Sequence, residues 1–238
     1  MTLQFFDFLA DNEDYDASIV SRMNLRHKFL VAPFENEIRG SSVLDIAAHD
    51  GRWSYALAAA GAAEVYGVEA RRELIEKFSS YPQSDFKNRV TLKENDLYRE
   101  LDHLIETEAT FDVVVLFGIF YHVMDHYGLL AKVSRLNPKV IIIDSEFITT
   151  ANPMIQLVKE RTDHVLNAIA QVPDQQTTLI GIPSTTAMKR MANVLGYDCD
   201  WLDWDSVPKH LRIGVKDYYR NKPKRRRTCV LRPATSGF

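Results

Sequence analysis

Residues 42–69, reading SVLDIAAHDGRWSYALAAAGAAEVYGVE, constrain the fold more than any other part of the chain. A short apolar run, Val43-Leu44-Asp45-Ile46, leads into a turn of small residues, Ala47-Ala48-His49-Asp50-Gly51. An alanine-rich helical segment follows. A second apolar run, Val65-Tyr66-Gly67-Val68, then ends in Glu69. Strand, tight turn, helix, strand and acid in this order build a nucleotide-type pocket at the carboxyl ends of an open α/β sheet. A carboxylate about 20 residues beyond the turn is placed to accept hydrogen bonds from a ribose diol. Glu69 stands there.

This stretch resembles the cofactor-binding motifs of class I S-adenosylmethionine-dependent methyltransferases. Their first motif carries two or three glycines after the strand acid. Here Gly51 remains, with Ala47 and His49 at the other glycine places. A dinucleotide dehydrogenase needs a glycine-rich turn so that pyrophosphate can sit on the helix start, and a single glycine speaks against it. The resemblance implies S-adenosyl-L-methionine as cofactor, with Asp45, Ala47, Gly51 and Glu69 among its contacts. It also implies a segment before the first strand that covers the cofactor, where Tyr15, Arg22 or His27 would reach its carboxylate. If His49 points into the pocket, it joins the substrate site.

At 238 residues, with 46% hydrophobic and 26% charged residues, the chain has material for one sizeable core. We expect one domain: a helical cover over 1–40, a cofactor-binding core over 41–148, a lid insertion over 149–183, and a closing helix and strand hairpin over 184–238. A net charge of −3 supplies no global field toward nucleic acid or an anionic membrane. The two cysteines, Cys199 and Cys229, lack metal-ligand spacing and imply a reducing, cytoplasmic setting. The start is acidic rather than signal-like, and no apolar run approaches the ~18 residues of a membrane span.

Beyond the opening stretch, strands and helices alternate. Residues 71–78 read as a helix and 90–93 as a strand, ending in Glu94-Asn95-Asp96-Leu97. This strand end resembles the family's adenine-contacting motif. Asp96 is also a good helix N-cap. The continuous apolar run Asp112-Val113-Val114-Val115-Leu116-Phe117 fits a central parallel strand buried on both faces. Phe117 and Gly118 at its end are expected to line the cofactor. A helix at 127–135 and a strand at 140–143 follow. Residues 154–170 read as a helical lid inserted after the fifth strand and 172–182 as a loop. A helix at 185–195 and strands at 197–204 and 227–231 close the fold. The expected architecture is α/β: a doubly wound, mostly parallel seven-stranded sheet with helices on both faces.

Methyl transfer from a sulfonium is a displacement that requires in-line placement of the nucleophile at roughly 3 to 3.5 Å. A hydroxyl nucleophile also loses a proton, so a base or a metal helps. His122, just past the fourth strand, is the candidate base, since imidazole titrates near neutrality. Asp144 and Glu146 share a face after the fifth strand and are candidates to support it. With Asp125 they are also candidate ligands for a divalent ion, a reading held below the metal-free one. The fourth strand does not end in the Asn/Asp-Pro-Pro-aromatic motif of amino-methylating enzymes, and no cysteine lies near it for a covalent route. The best reading is a methyltransferase acting on a hydroxyl of a small molecule such as a sugar. One alternative is a tRNA or rRNA methyltransferase using the basic tract at 222–227. Another is a protein that binds the cofactor without catalysis. Monomer and homodimer are both left open.

Overall fold

The computed structural model describes residues 4–11, 15–164 and 167–235. In chain order the strands are β1 (Ser42–Ile46), β2 (Glu64–Glu69), β3 (Val90–Glu94), β4 (Val113–Phe117), β5 (Val140–Ile148), β6 (Ile155–Arg161), β7 (Thr177–Pro183), β8 (Tyr197–Trp201) and β9 (Lys224–Pro233). The helices are α1 (Ala17–Leu30), α2 (Glu35–Ile38), α3 (Arg52–Ala59), α4 (Arg72–Lys77), α5 (Leu97–Glu106), α6 (His126–Ser134) and α7 (Thr185–Val194). Seven strands form one sheet in the order β3-β2-β1-β4-β5-β9-β8. Its first five strands in this order are mutually parallel, and β9 and β8 run antiparallel. The order reverses between β1 and β4. That reversal opens a crevice at the carboxyl ends of the strands.

The sheet is buried on both faces because side chains alternate across it. Val43, Val113, Val115, Val140, Ile142 and Val230 face one core, which they share with α1 and α3. Leu44, Val114, Leu116, Ile141, Ile143 and Leu231 face the other, shared with α5, α6 and α7. Each such side chain contributes about 1.5–3 kcal/mol when fully buried. The continuous apolar runs of β4 and β5 are the sequence signature of this two-sided burial. Gly67 in β2 has a packing reason: a Cβ there would lie 2.6 Å from Leu92 Cδ2 and 2.9 Å from Ala48 Cβ. The turn after β1 therefore packs directly on β2.

The lid departs from expectation. Residues 154–170 were expected to be helical and 172–182 a loop. Instead β6 and β7 pair antiparallel, from Ile155↔Pro183 to Arg161↔Thr177. Val165 and Leu166, which suggested the helix, lie outside the described residues. The run Thr177-Thr178-Leu179-Ile180 is β-branched and apolar, and it favours a strand once a partner is available. The basic tract also sits elsewhere. Instead of a turn, residues 224–227 of it form the start of β9, with Lys222 and Pro223 just before the strand. Lys224 reaches Glu146 at 3.0 Å, and Arg227 lies over the Trp201 ring. Among the described residues no helix is long and apolar enough to cross a membrane.

One buried carboxylate ties the N-terminal helix to the sheet. Asp144, fully buried on β5, accepts from Arg26 Nη2 at 2.6 Å and Arg226 Nη1 at 3.1 Å. It also accepts from the Tyr218 hydroxyl at 2.8 Å and the Thr228 hydroxyl at 2.7 Å. Burial alone would raise its pKa, but the Arg26 and Arg226 guanidiniums hold it below the usual carboxylate value. Asp144→Ala would leave two buried guanidiniums without their shared anion. Breaking a buried pair of this kind costs about 3–5 kcal/mol. The urea midpoint of Asp144→Ala should fall correspondingly with an unchanged slope; an unchanged midpoint would rule this out.

Candidate functional site

The turn between β1 and α3 keeps the backbone of a glycine loop with Gly51 as its one glycine. Ala47 has φ 61°, His49 φ 57° and Gly51 φ 77°. The left-handed region costs a non-glycine residue roughly 1–2 kcal/mol. Hydrogen bonds hold the turn there: the Ala48 N–H donates to Val68 O at 2.9 Å, and the Gly51 N–H to Ala48 O at 2.9 Å. The His49 N–H donates to Glu69 Oε2 at 3.0 Å. At Gly51 no side chain fits, since a Cβ would lie 2.6 Å from Phe78 Cδ2. The turn thus brings the β2 acid onto the β1 loop.

Asp45 is buried beneath this turn, and its Oδ2 accepts from the Ser54 hydroxyl at 2.7 Å. Burial, with the Ser54 hydrogen bond opposing and the Glu69 charge adding, pushes its carboxyl up to about 7. His49 does not turn into the cavity described below. Its Nδ1 lies 3.0 Å from Arg52 Nη2, and its Nε2 is buried without a hydrogen-bond partner. Arg52 in turn grips the buried Asp50 through Nε and Nη2, both at 2.6 Å. The Tyr15 hydroxyl donates to the same carboxylate. Tyr15 therefore meets the β1–α3 turn rather than open solvent. Arg22 pairs with Asp217 at 2.6 Å, and His27 stacks on Phe5.

A cavity of about 690 Å³ opens beyond the carboxyl ends of β2, β3 and β4, within the usual range for ligand sites. Its floor contains Ala47, Glu69 and Asp96. Glu69 accepts backbone N–H groups of His49 and Arg71, both at 3.0 Å. An ionised carboxylate has about four acceptor positions, so this one retains capacity for further donors. Asp96 caps α5 by accepting from Tyr98 N at 3.0 Å and Arg99 N at 3.2 Å. Leu97 and Ile119 supply apolar wall, and His122 stands on the side after β4. Residues 168–171 of the lid form the remaining wall.

Two contacts hold that lid strap. Arg71 Nη2 donates to Asn167 O at 2.5 Å. On the other side, the Ala168 N–H donates to Glu160 Oε2 at 2.8 Å, and the same oxygen lies 2.7 Å from His122 Nδ1. Burial would raise the Glu160 pKa, but the His122 and Ala168 hydrogen bonds hold it below its usual value.

Several candidate residues are not brought to this cavity. Phe117 turns edge-on to Trp53, at 5.3 Å between centroids, and Gly118 and Gly51 are not among the cavity-lining residues. Asp144 lies in the arginine cluster, and Glu146 accepts from Arg220 at 2.5 Å and Lys224 at 3.0 Å. The acid beside His122 is Glu160 instead. Asp125 lines the cavity but caps α6 by accepting from Gly128 N at 2.8 Å. Among the described residues, no three His, Cys, Asp or Glu side chains are grouped so as to hold a metal. Asp125, Asp144 and Glu146 accordingly do not form one site. Sequence reading missed Arg71, Glu160 and the strap. Glu160 is invisible without the β6–β7 pairing, for which the β-branched run at Thr177 was the available signal.

With this geometry in place, comparisons place the chain among known proteins. Residues 43–138 match a family model described as a methyltransferase domain. No match was found among curated proteins. Solved structures share the fold. The N-terminal domain of EvdMO1, crystallised in the presence of SAH and D-fucose, is 17% identical with a TM-score of 0.62. The match covers 84% of this chain and 80% of that domain, but 39% of the full EvdMO1 chain. An S-adenosylmethionine-dependent methyltransferase from Mesorhizobium loti is 12% identical, with a TM-score of 0.61 over 91% of this chain and 98% of its own. The Burkholderia thailandensis 1,6-didemethyltoxoflavin-N1-methyltransferase, with bound 1,6-didemethyltoxoflavin and S-adenosylhomocysteine, is 16% identical. Its TM-score is 0.58 over 96% of this chain and 84% of its own.

The raised Asp45 carboxyl makes a signed prediction. In the unfolded chain Asp45 loses its proton near pH 4, whereas in the folded chain it keeps it to about 7. Stability therefore falls between these values, and the deficit persists above them. Asp45→Asn removes the deficit. It should unfold at higher urea than the parent at pH 8, by on the order of 2–4 kcal/mol, with the difference vanishing below pH 4. A difference independent of pH would show that Asp45 carries no such linkage.

Proposed function

We propose that this chain, whose residues 43–138 match a methyltransferase-domain model, is a class I S-adenosylmethionine-dependent methyltransferase that transfers a methyl group to a hydroxyl of a small, polar, sugar-like acceptor, with His122 as general base. The observation that carries this reading is the place of His122. It is the one imidazole among the described residues that both lines the cavity and lies past β4, across from the Glu69–Asp96 floor.

The floor fits the cofactor by its chemistry. Glu69 has acceptor capacity for a ribose diol, Asp96 can accept from the adenine amino group, and Leu97 offers an apolar face to the ring. Ala47 lies on the left-handed loop beside them. When bound, the cofactor supplies a methyl group already attached to a good leaving group. The chain's own task is then placement and proton removal. The strap and the β4 wall would hold the acceptor hydroxyl toward the cofactor and limit water. His122 would take the hydroxyl proton as the oxygen bonds to carbon, a contribution typically of 10²–10⁴-fold. The cavity's mixture of Asp125, Asn95 and Tyr98 with Ile119 and Val123 suits a polyhydroxylated ring, which has polar edges and an apolar face. The EvdMO1 N-terminal domain, which shares the fold, was crystallised in the presence of a sugar, D-fucose. The nucleic-acid reading has less support, because Lys224 and Arg226 direct their charges at Glu146, Asp144 and Asp217.

Calorimetry should detect S-adenosylmethionine binding, and Glu69→Ala should weaken it by about 10- to 100-fold, the worth of a charged hydrogen-bond acceptor. No binding at millimolar cofactor would sink the reading. With a panel of free and nucleotide-linked sugars, formation of S-adenosylhomocysteine should fall by about 10²–10⁴-fold in His122→Ala while cofactor affinity stays within about twofold. Turnover retained in that variant would remove the base role.

A further inference from the structure

Glu160 has no role in the reading above, yet it sits where it can govern His122. It comes from β6, on the lid hairpin, and is 38 residues from His122 in sequence. Its side chain is 13% exposed and that of His122 only 7%. One oxygen, Oε2, meets His122 Nδ1 at 2.7 Å and the Ala168 N–H at 2.8 Å. A carboxylate with its pKa held below the usual value is an acceptor and not a donor. With Glu160 accepting at 2.7 Å, Nδ1 is the nitrogen placed to donate, and a neutral ring so arranged has its Nε2 lone pair free.

We propose that Glu160 is a positioning residue: it fixes His122 in the Nδ1–H tautomer and in one ring orientation, and it does so only while the lid strap is seated. The proposal deepens the base role of His122 and rests on that reading for its catalytic meaning, but the tautomer itself does not. A base needs its free lone pair aimed at the acceptor, and a neutral imidazole left to itself distributes the proton over both nitrogens. The neighbours of the ring leave Glu160 as the group that decides. Tyr121 packs beside it with centroids 3.9 Å apart, and Arg226 lies over the Tyr121 ring. Asp125 lines the same cavity but spends an oxygen on capping α6. His164 is felt by Glu160 as a charge neighbour. The shared oxygen adds the second half of the proposal. The strap residue Ala168 holds the same oxygen that meets the ring, so the seated strap fixes the Glu160 carboxylate in the position from which it orients the ring.

The test uses the full chain labelled with ¹⁵N-histidine and needs no acceptor. Long-range ¹H–¹⁵N spectra at pH 8.5 report which ring nitrogen of His122 carries the proton, with His122→Ala identifying its signals. The expected wild-type result is one dominant Nδ1–H form. A dominant Nε2–H form, or an even mixture, overturns the proposal from the wild-type spectrum alone, whether or not any variant folds. Glu160→Ala should convert the signal to a mixture, and Glu160→Asp should restore part of the Nδ1–H preference. A Glu160→Ala spectrum identical to wild type would also overturn it. For the strap, hydrogen exchange at the Ala168 amide should accelerate at least tenfold in Glu160→Ala; an amide that is already unprotected in wild type, or a rate unchanged in the variant, overturns the coupling to the lid. Failure of the base reading looks different: the tautomer result holds, but His122→Ala still turns over sugars.

Discussion

The Asp144 carboxylate is the point on which the architecture closes. It draws Arg26 from α1, Arg226 and Thr228 from β9, and Tyr218 from the 3₁₀ turn Lys216–Tyr219 into one buried cluster. A buried charge is tolerated when it is paired and its remaining lone pairs are satisfied. Here four side-chain donors meet one acid. The consequence is geometric: α1 is held against the β5–β9 half of the sheet, and the N-terminal segment carrying Tyr15 is held against the β1–α3 turn. Asp144 was expected to support catalysis, but its chemistry is spent on assembly.

The turn between β1 and α3 follows the same economy at smaller scale. Ala47 and His49 adopt backbone angles that glycine adopts freely, and the strain is offset by hydrogen bonds from Ala48 to Val68 and from His49 to Glu69. Gly67 lets the turn lie against β2, and Gly51 leaves room for Phe78. The loop does not need all of its glycines, because tertiary contacts over-determine the conformation. His49 replaces what glycine leaves empty with a side chain tied to Arg52 and Asp50.

Opposite that loop, the lid brings an acid to a histidine. Sequence distance hid the pair, because Glu160 reaches His122 only after β6 and β7 have folded over the sheet edge. The hairpin's two buried anchors, Ile180 and Ile182, hold it to the core. Its strap remains the more open part, with residues 167–171 only partly buried or exposed.

The sheet strands were legible in the chain because each states its environment locally. The apolar runs of β4 and β5 can be satisfied only by burial on both faces, and the order of strand, turn, helix and acid around Asp45 and Glu69 allows few topologies. Turn chemistry was legible by position even where the residues had changed. What local pattern does not encode is which distant charge a side chain meets. Asp144 and Glu146 follow a strand-like run and Glu160 falls in a segment that reads as helical, and nothing in their neighbours along the chain says which charge each will meet. Long-range pairing separates them: β9 brings arginine to the first and lysine to the second, and β6 brings the third to His122. The sequence by itself determined the layered sheet and the strand ends that place Ala47, Glu69 and Asp96 at the cavity, since periodicity and turn residues are local properties. Only the tertiary structure decided that the lid is a hairpin, that Asp144 belongs to the core, and that Glu160 faces the imidazole, because strand pairing and charge pairing depend on residues far apart in the chain.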